Sequence, residues 1–178
     1  MNTYRVILIM VAGCMILGTF DSTGARAQDN KQKRCATPEY HQFDFWIGRW
    51  DTFETNDSKV IARNRVESMV GGCAIREVYE QGDGLVGESF SIYDAKRGVW
   101  HQSWVTNHGQ LLVLEGGFVD GKMILTGDDY SSDGQARLLR GIWQRISDGV
   151  RETAETSSDA GKTWRPLFDI VFRPANRP

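Results

Sequence analysis

Trp100-His101-Gln102-Ser103-Trp104 carries a dense set of chemically useful side chains. In an extended strand, side chains alternate between faces. Trp100, Gln102 and Trp104 therefore share one face, and His101 and Ser103 share the other. Two indoles flanking a carboxamide suit a ligand wall, because the rings supply apolar area and the amide an orienting hydrogen bond. The same alternation in Ile75-Arg76-Glu77-Val78-Tyr79 groups Ile75, Glu77 and Tyr79. On an inward face Glu77 is a buried acid that needs a partner. Arg140, Gln144 and Glu155 are candidates to join it from later segments, and Trp143 extends the aromatic set. Two chemistries follow. One is binding of a small, largely apolar molecule by Tyr79, Trp100, Gln102, Trp104, Arg140 and Trp143. The other is acid–base chemistry on a small molecule, with Glu77 or Glu155 exchanging the proton and Gln102 or Arg140 orienting the substrate. A third arrangement puts these polar residues on a solvated outer face around a solid core, as in a structural or interaction protein.

Other chemistries lack their residues. The three histidines, His41, His101 and His108, have no second histidine at ligand spacing, and Cys35 and Cys73 lack a CxxC partner, so neither a metal site nor a cofactor is expected. No Gly-x-Ser-x-Gly elbow presents a nucleophile. The glycines fall at turn positions rather than in a phosphate-cradling loop. With 21 Lys and Arg against 23 Asp and Glu, the formal net charge of −2 excludes a basic nucleic-acid surface.

The first residues have the form of an export signal. Arg5 precedes an apolar run from Val6 to about Phe20, and Ala25-Arg26-Ala27 offers a small-x-small cleavage site. Residues 1–27 are therefore expected to be a signal peptide. The run is shorter than the roughly 18–20 apolar residues of a membrane span, so no integral span is expected after cleavage. An alternative is a lipobox at Val11-Ala12-Gly13-Cys14, which would make the chain a lipoprotein through Cys14. Against it, the apolar run continues through Met15-Ile16-Leu17. Either route leads to a periplasmic or secreted protein. In that oxidising setting Cys35 and Cys73 are expected to form a disulfide worth about 3 kcal/mol. The alternative is two separate buried thiols.

The elements that must position these side chains are strands. Residues 28–36 are polar and aperiodic, the pattern of a flexible lead-in, and 37–178 form one domain. Thr37-Pro38-Glu39 predicts the start of a short helix that Gly48 stops. After Gly48 the pattern has period two, broken by Gly and Asn/Asp clusters such as Asp120-Gly121 and Asp148-Gly149. The strands expected between them are Arg49–Thr55, Val60–Val70, Ala74–Glu80, Val86–Tyr93, Val99–Thr106, Leu111–Val119, Lys122–Asp128, Arg137–Ile146, Val150–Thr156 and Thr163–Arg173. Their short connections require antiparallel neighbours. A meander of about ten strands removes its edges by closing as an up-and-down barrel. A two-sheet sandwich is the alternative.

Phe45-Trp46-Ile47-Gly48-Arg49-Trp50, a short helix running into Gly-x-Trp, resembles the N-terminal signature of calycin barrels, which include lipocalins and nitrobindin-like proteins. The resemblance implies that Trp50 closes one barrel end and that a basic residue of the last strand, here Arg173, packs across it and bonds the helix backbone. It also implies that haem of the nitrobindin kind is absent, because no histidine follows His108. More of the chain is similar to the uncharacterised bacterial DUF1579-like group. The matching pieces are Phe43 to Asp51, Gly72-Cys73-Ala74 with Glu77, Gly87-Glu88-Ser89, Trp100 to Trp104, and Ser157 to Trp164. That likeness implies a barrel and export but no reaction. Ser157-Ser158-Asp159-Ala160-Gly161-Lys162-Thr163-Trp164 matches an Asp-box, expected here as a structural turn built by Asp159, Gly161 and Trp164.

Overall fold

Alternating stretches of the chain form ten strands in the computed structural model, which describes residues 35–175. The expected signal peptide and the alternative lipobox at Cys14 fall outside the described residues, as does most of the expected lead-in. The strands are β1 (Gly48–Glu54), β2 (Val60–Met69), β3 (Ala74–Gln81), β4 (Val86–Asp94), β5 (Val99–Thr106), β6 (Leu111–Val119), β7 (Lys122–Tyr130), β8 (Ala136–Ile146), β9 (Gly149–Ser157) and β10 (Arg165–Pro174). Each pairs antiparallel with its neighbour in sequence, and β1 pairs with β10. The sheet is thus a closed up-and-down barrel without an unpaired edge. The sandwich alternative is excluded by the β1–β10 ladder, which runs from Trp50 opposite Pro174 to Glu54 opposite Ile170.

Turn chemistry sets the strand ends. Asp120 and Gly121 both take positive φ, 49° and 79°, the geometry of a two-residue hairpin between β6 and β7. Val70 also takes positive φ, 52°, so β2 stops at Met69. β10 begins at Arg165 rather than Thr163, because Thr163 and Trp164 belong to the preceding turn.

The expected N-terminal helix is two short 3-10 turns, Pro38–His41 and Asp44–Trp46. Thr37 makes no side-chain cap, and the two turns are too short to continue as an α-helix. Packing rather than helix propensity holds this segment. Phe43 and Trp46 are almost fully buried and stack with ring centroids 5.0 Å apart. Phe43 also meets Trp100 edge-on at 5.7 Å and Trp143 at 5.4 Å. Trp46 reaches Trp143 and Phe172. These aromatics plug one end of the barrel. A Cys35–Cys73 disulfide, with Cα atoms 5.1 Å apart, ties the start of this segment to the β2–β3 turn.

Trp50 belongs to the plug through its own donor: its indole Nε1 donates to the Trp46 carbonyl at 2.9 Å. Gly48 makes room for that ring, since a Cβ there would lie 2.7 Å from the indole. Arg173, expected across Trp50, lies elsewhere. It stands opposite Asp51, one residue out of phase with Trp50, and so on the outer face. There its Nε donates to Asp148 at 2.9 Å and its guanidinium sits 4.9 Å from the Phe53 ring centre.

Candidate functional site

The plug fills only part of the barrel. Beyond it lies a lumenal cavity of about 640 Å³, which opens at the opposite end between the β1–β2 turn, the β3–β4 turn and the start of β10. Its walls are mostly apolar, with Leu112, Leu114, Leu139, Ile170 and Phe172 among them. The lumen is therefore not packed solid, and its volume is that of a small-molecule site.

A polar network crosses one side of this cavity. Glu77, Tyr79, Gln102, Trp104 and Trp143 all line it, as the alternation of β3, β5 and β8 directs. Glu77 is 6 % exposed and accepts two hydrogen bonds. Asn64 Nδ2 donates to its Oε1 at 2.9 Å and Ser89 Oγ to its Oε2 at 2.8 Å. Gln102 Nε2 donates to Ser91 Oγ at 3.2 Å and, more weakly, to Ser89 Oγ at 3.5 Å. Burial pushes the Glu77 carboxyl up to about 7, and the Ser89 and Asn64 bonds only partly oppose it.

A second carboxylate enters from β9. Glu152 lines the cavity and stands opposite Trp143 in the β8–β9 ladder. Removal from bulk water raises its pKa well above the usual carboxylate range. The Glu77 charge raises it further, and the Trp143 indole acts against both. That indole N–H, however, makes no hydrogen bond of ordinary geometry. Tyr79 feels the same surroundings: burial, then the Glu152 and Glu77 charges, push its hydroxyl up to about 12. Trp104 packs edge-on against Tyr79 at 6.1 Å and lies on Gly87, where a Cβ would come 2.2 Å from the ring.

Three sequence candidates stand outside this cavity. Trp100 belongs to the plug: it is 1 % exposed and its Nε1 donates to Gln42 Oε1 at 3.1 Å. Arg140 and Glu155 face each other on the outer wall, with the Arg140 Nη2 donating to Glu155 Oε2 at 2.6 Å. Arg140 also lies 3.9 Å over the Trp164 ring, a cation–π contact that locks the outer surface. The lumenal acid of β9 is Glu152, three residues from the expected Glu155. The signal was present in the sequence: Val150, Glu152 and Ala154 share a face on which two members are small and apolar, whereas Arg151, Thr153 and Glu155 share the other. Asn64 was legible in the same way, between Ala62 and Val66.

Two further arrangements are structural. Asp159 accepts from the Thr163 amide at 2.9 Å, the Thr163 hydroxyl at 2.7 Å and the Ser157 hydroxyl at 2.7 Å. Gly161 takes positive φ, 84°, and its carbonyl accepts from Trp164 Nε1 at 3.0 Å. The Asp-box residues thus build the β9–β10 turn. On the outer wall, Ser103, His101 and Glu115 form a chain, with Oγ to Nε2 at 2.9 Å and Nδ1 to Oε1 at 3.0 Å. It has the connectivity of a nucleophile relay. Yet β5 is laddered on both sides, which leaves no free backbone N–H groups to hold an oxyanion, and Arg97 binds Glu115 through two nitrogens.

Among the described residues there is no cluster of three metal-ligand side chains and no helix long and apolar enough to cross a membrane. A scan against protein-family models and a search of curated proteins find no match to the chain. What is established is thus the class: an antiparallel barrel closed by an aromatic plug, with a lumenal cavity lined by the buried Glu77 and the half-buried Glu152.

Proposed function

We propose that the chain is an exported barrel of the calycin type, similar to the DUF1579-like proteins, and that it binds a small, largely apolar molecule in its lumen. The observation that carries the reading is the cavity of about 640 Å³, apolar on most of its wall and polar at one side. A rigid closed barrel supplies such a site already formed, so binding sacrifices little conformational entropy. The Cys35–Cys73 disulfide supports an oxidising compartment, hence export.

The test has two arms. Native mass spectrometry of the protein purified from its own compartment is expected to show a retained small molecule. Ala154→Phe then fills the cavity from a wall position that is 1 % exposed. It is expected to abolish retention while the near-ultraviolet circular dichroism of the plug tryptophans persists. Retention by a folded Ala154→Phe protein would remove the lumenal site.

One observation favours a second reading. The Glu77 carboxyl is raised to about 7 and that of Glu152 is raised well above the usual carboxylate range, shifts suited to general acid–base work. On that reading Glu77→Gln abolishes turnover in a metabolite screen and leaves binding intact. Unchanged turnover would exclude it.

A further inference from the structure

The cavity is charged in one sense only. Four carboxylates line it, Glu54, Glu77, Glu152 and Asp169, and among the described residues no Lys, Arg or His does. Asp169 is neutralised from outside, since Arg151 donates to both of its oxygens. Glu77 and Glu152 have no such partner. Carboxyls withdrawn from bulk water without a counter-ion destabilise a fold unless they stay protonated or receive a cation.

The polar groups around Glu77 carry more acceptors than donors. Asn64, 3 % exposed and behind Glu77 rather than on the cavity wall, spends its amide N–H on Glu77 while its Oδ1 accepts nothing. Gln102 likewise gives its amide to Ser91 and Ser89, which turns its carbonyl oxygen over to a ligand. An ionised carboxylate has about four lone-pair sites, and Glu77 uses two of them. Hydrogen-bond acceptors are therefore in excess at the polar side of the cavity. Trp143, 3 % exposed, leaves its buried N–H unpaired on the strand beside Glu152, a donor that can complete that carboxylate once it ionises. The aromatic faces of Tyr79, Trp104 and Trp143 suit a cation as well. A carboxylate ligand meets the opposite: like charge and few donors.

We infer that the lumenal ligand is a lipophilic cation, a protonated amine whose ammonium group sits between Glu77 and Glu152 while its apolar body fills the leucine-lined cavity. The inference rests on the lumenal-binding reading and narrows it. The ammonium takes the place of protons. Where Glu77 is neutral, binding ionises it and releases its proton to solvent, so the bound state holds ammonium and carboxylate. Where Glu77 is already ionised, no proton is released there. The groups facing this pair are Tyr79 on β3, Asn64 on β2, Ser89 on β4, Gln102 on β5 and Trp143 on β8, with Glu54 and Asp169 nearer the mouth. None of them is a lysine, arginine or histidine.

The experiment titrates the full chain with three shape-matched probes, n-octylamine, n-octanol and n-octanoate, by calorimetry in two buffers of different ionisation enthalpy. The expected result is that octylamine binds at least about tenfold tighter than octanol, the worth of one charge-assisted hydrogen bond. Octanoate is expected to bind weakest. Amine binding is expected to release protons at mildly acidic pH and to cease doing so at alkaline pH. Glu152→Gln, and Glu77→Gln beside it, are expected to bring octylamine down to the affinity of octanol while octanol is unaffected. If wild-type protein binds all three alike, the cation preference is overturned and lumenal binding stands. If none binds, the lumenal reading falls and the inference falls with it.

Discussion

Glu77→Gln separates the cost of a buried charge from the value of a buried hydrogen-bond network. The carboxyl ordinarily titrates at 4.5 and in the fold at about 7. At low pH both folded and unfolded chains hold the proton, and the group contributes no pH dependence. As pH rises through the unfolded value, the unfolded chain releases its proton and gains relative to the fold. The loss of stability continues until the folded carboxyl ionises near 7, and then levels off. At about 1.4 kcal/mol per pH decade, the integrated loss is about 3 kcal/mol. Glutamine keeps the shape, can accept from Ser89, and offers an N–H that Asn64 Oδ1 can take once the Asn64 amide turns over. Relative to wild type, Glu77→Gln is therefore expected to gain about 3 kcal/mol between acidic and alkaline pH, or about 10 °C of melting temperature for a domain of this size. Glu152 shifts in the same direction, and because the Glu77 charge is part of the cause, Glu77→Gln eases that shift too and adds to the gain in the same sense. The assay is chemical unfolding of both proteins across that pH range in the absence of ligand. A stability difference that stays constant with pH would refute the reasoning, because it would mean that Glu77 carries no buried charge.

Further perturbations test other parts of the structure. Replacing Cys35 and Cys73 by serine opens a loop of 38 residues and is expected to cost about 3–4 kcal/mol, read as a lower midpoint in urea with the barrel still folded. Gly87→Ala drives a Cβ into the Trp104 indole and is expected to swing that ring into the lumen, which weakens octylamine binding and shifts the tryptophan emission; unchanged binding and emission would contradict the close approach. Asp159→Ala removes the acceptor of three turn bonds and is expected to speed hydrogen exchange at Thr163 without changing ligand affinity. Trp46→Leu opens the plug beneath Phe43 and Trp143 and is expected to cost about 3 kcal/mol through the void it leaves.

Alternation made the barrel legible. Each strand shows inward residues at every second position, and the glycine-rich breaks between strands leave no room for crossovers, so an antiparallel closed meander follows from local rules. The same parity correctly grouped Gln102 with Trp104, and Glu77 with Tyr79. Glu152 and Asn64 obey the same parity, each between small or apolar inward neighbours.

The register around the barrel is a different matter. Whether Arg173 meets Trp50 or Asp51 depends on a one-residue offset between strands far apart in the chain, and that offset turns a side chain from lumen to solvent. Trp100 and Trp104 share a face by sequence alone, yet one is covered by the N-terminal plug and the other lines the cavity. Only tertiary packing decides how deep a plug of Phe43 and Trp46 descends. By itself the sequence determined the antiparallel strands and which side chains share a face, and it left open a sandwich and the choice of the inward face. The tertiary structure decided which of these meet, and that Glu77 and Glu152 share a cavity with no cation among its described walls. The physical reason is range: alternation is a property of neighbours in the chain, whereas the field inside the lumen sums charges contributed by strands that meet only when the barrel closes.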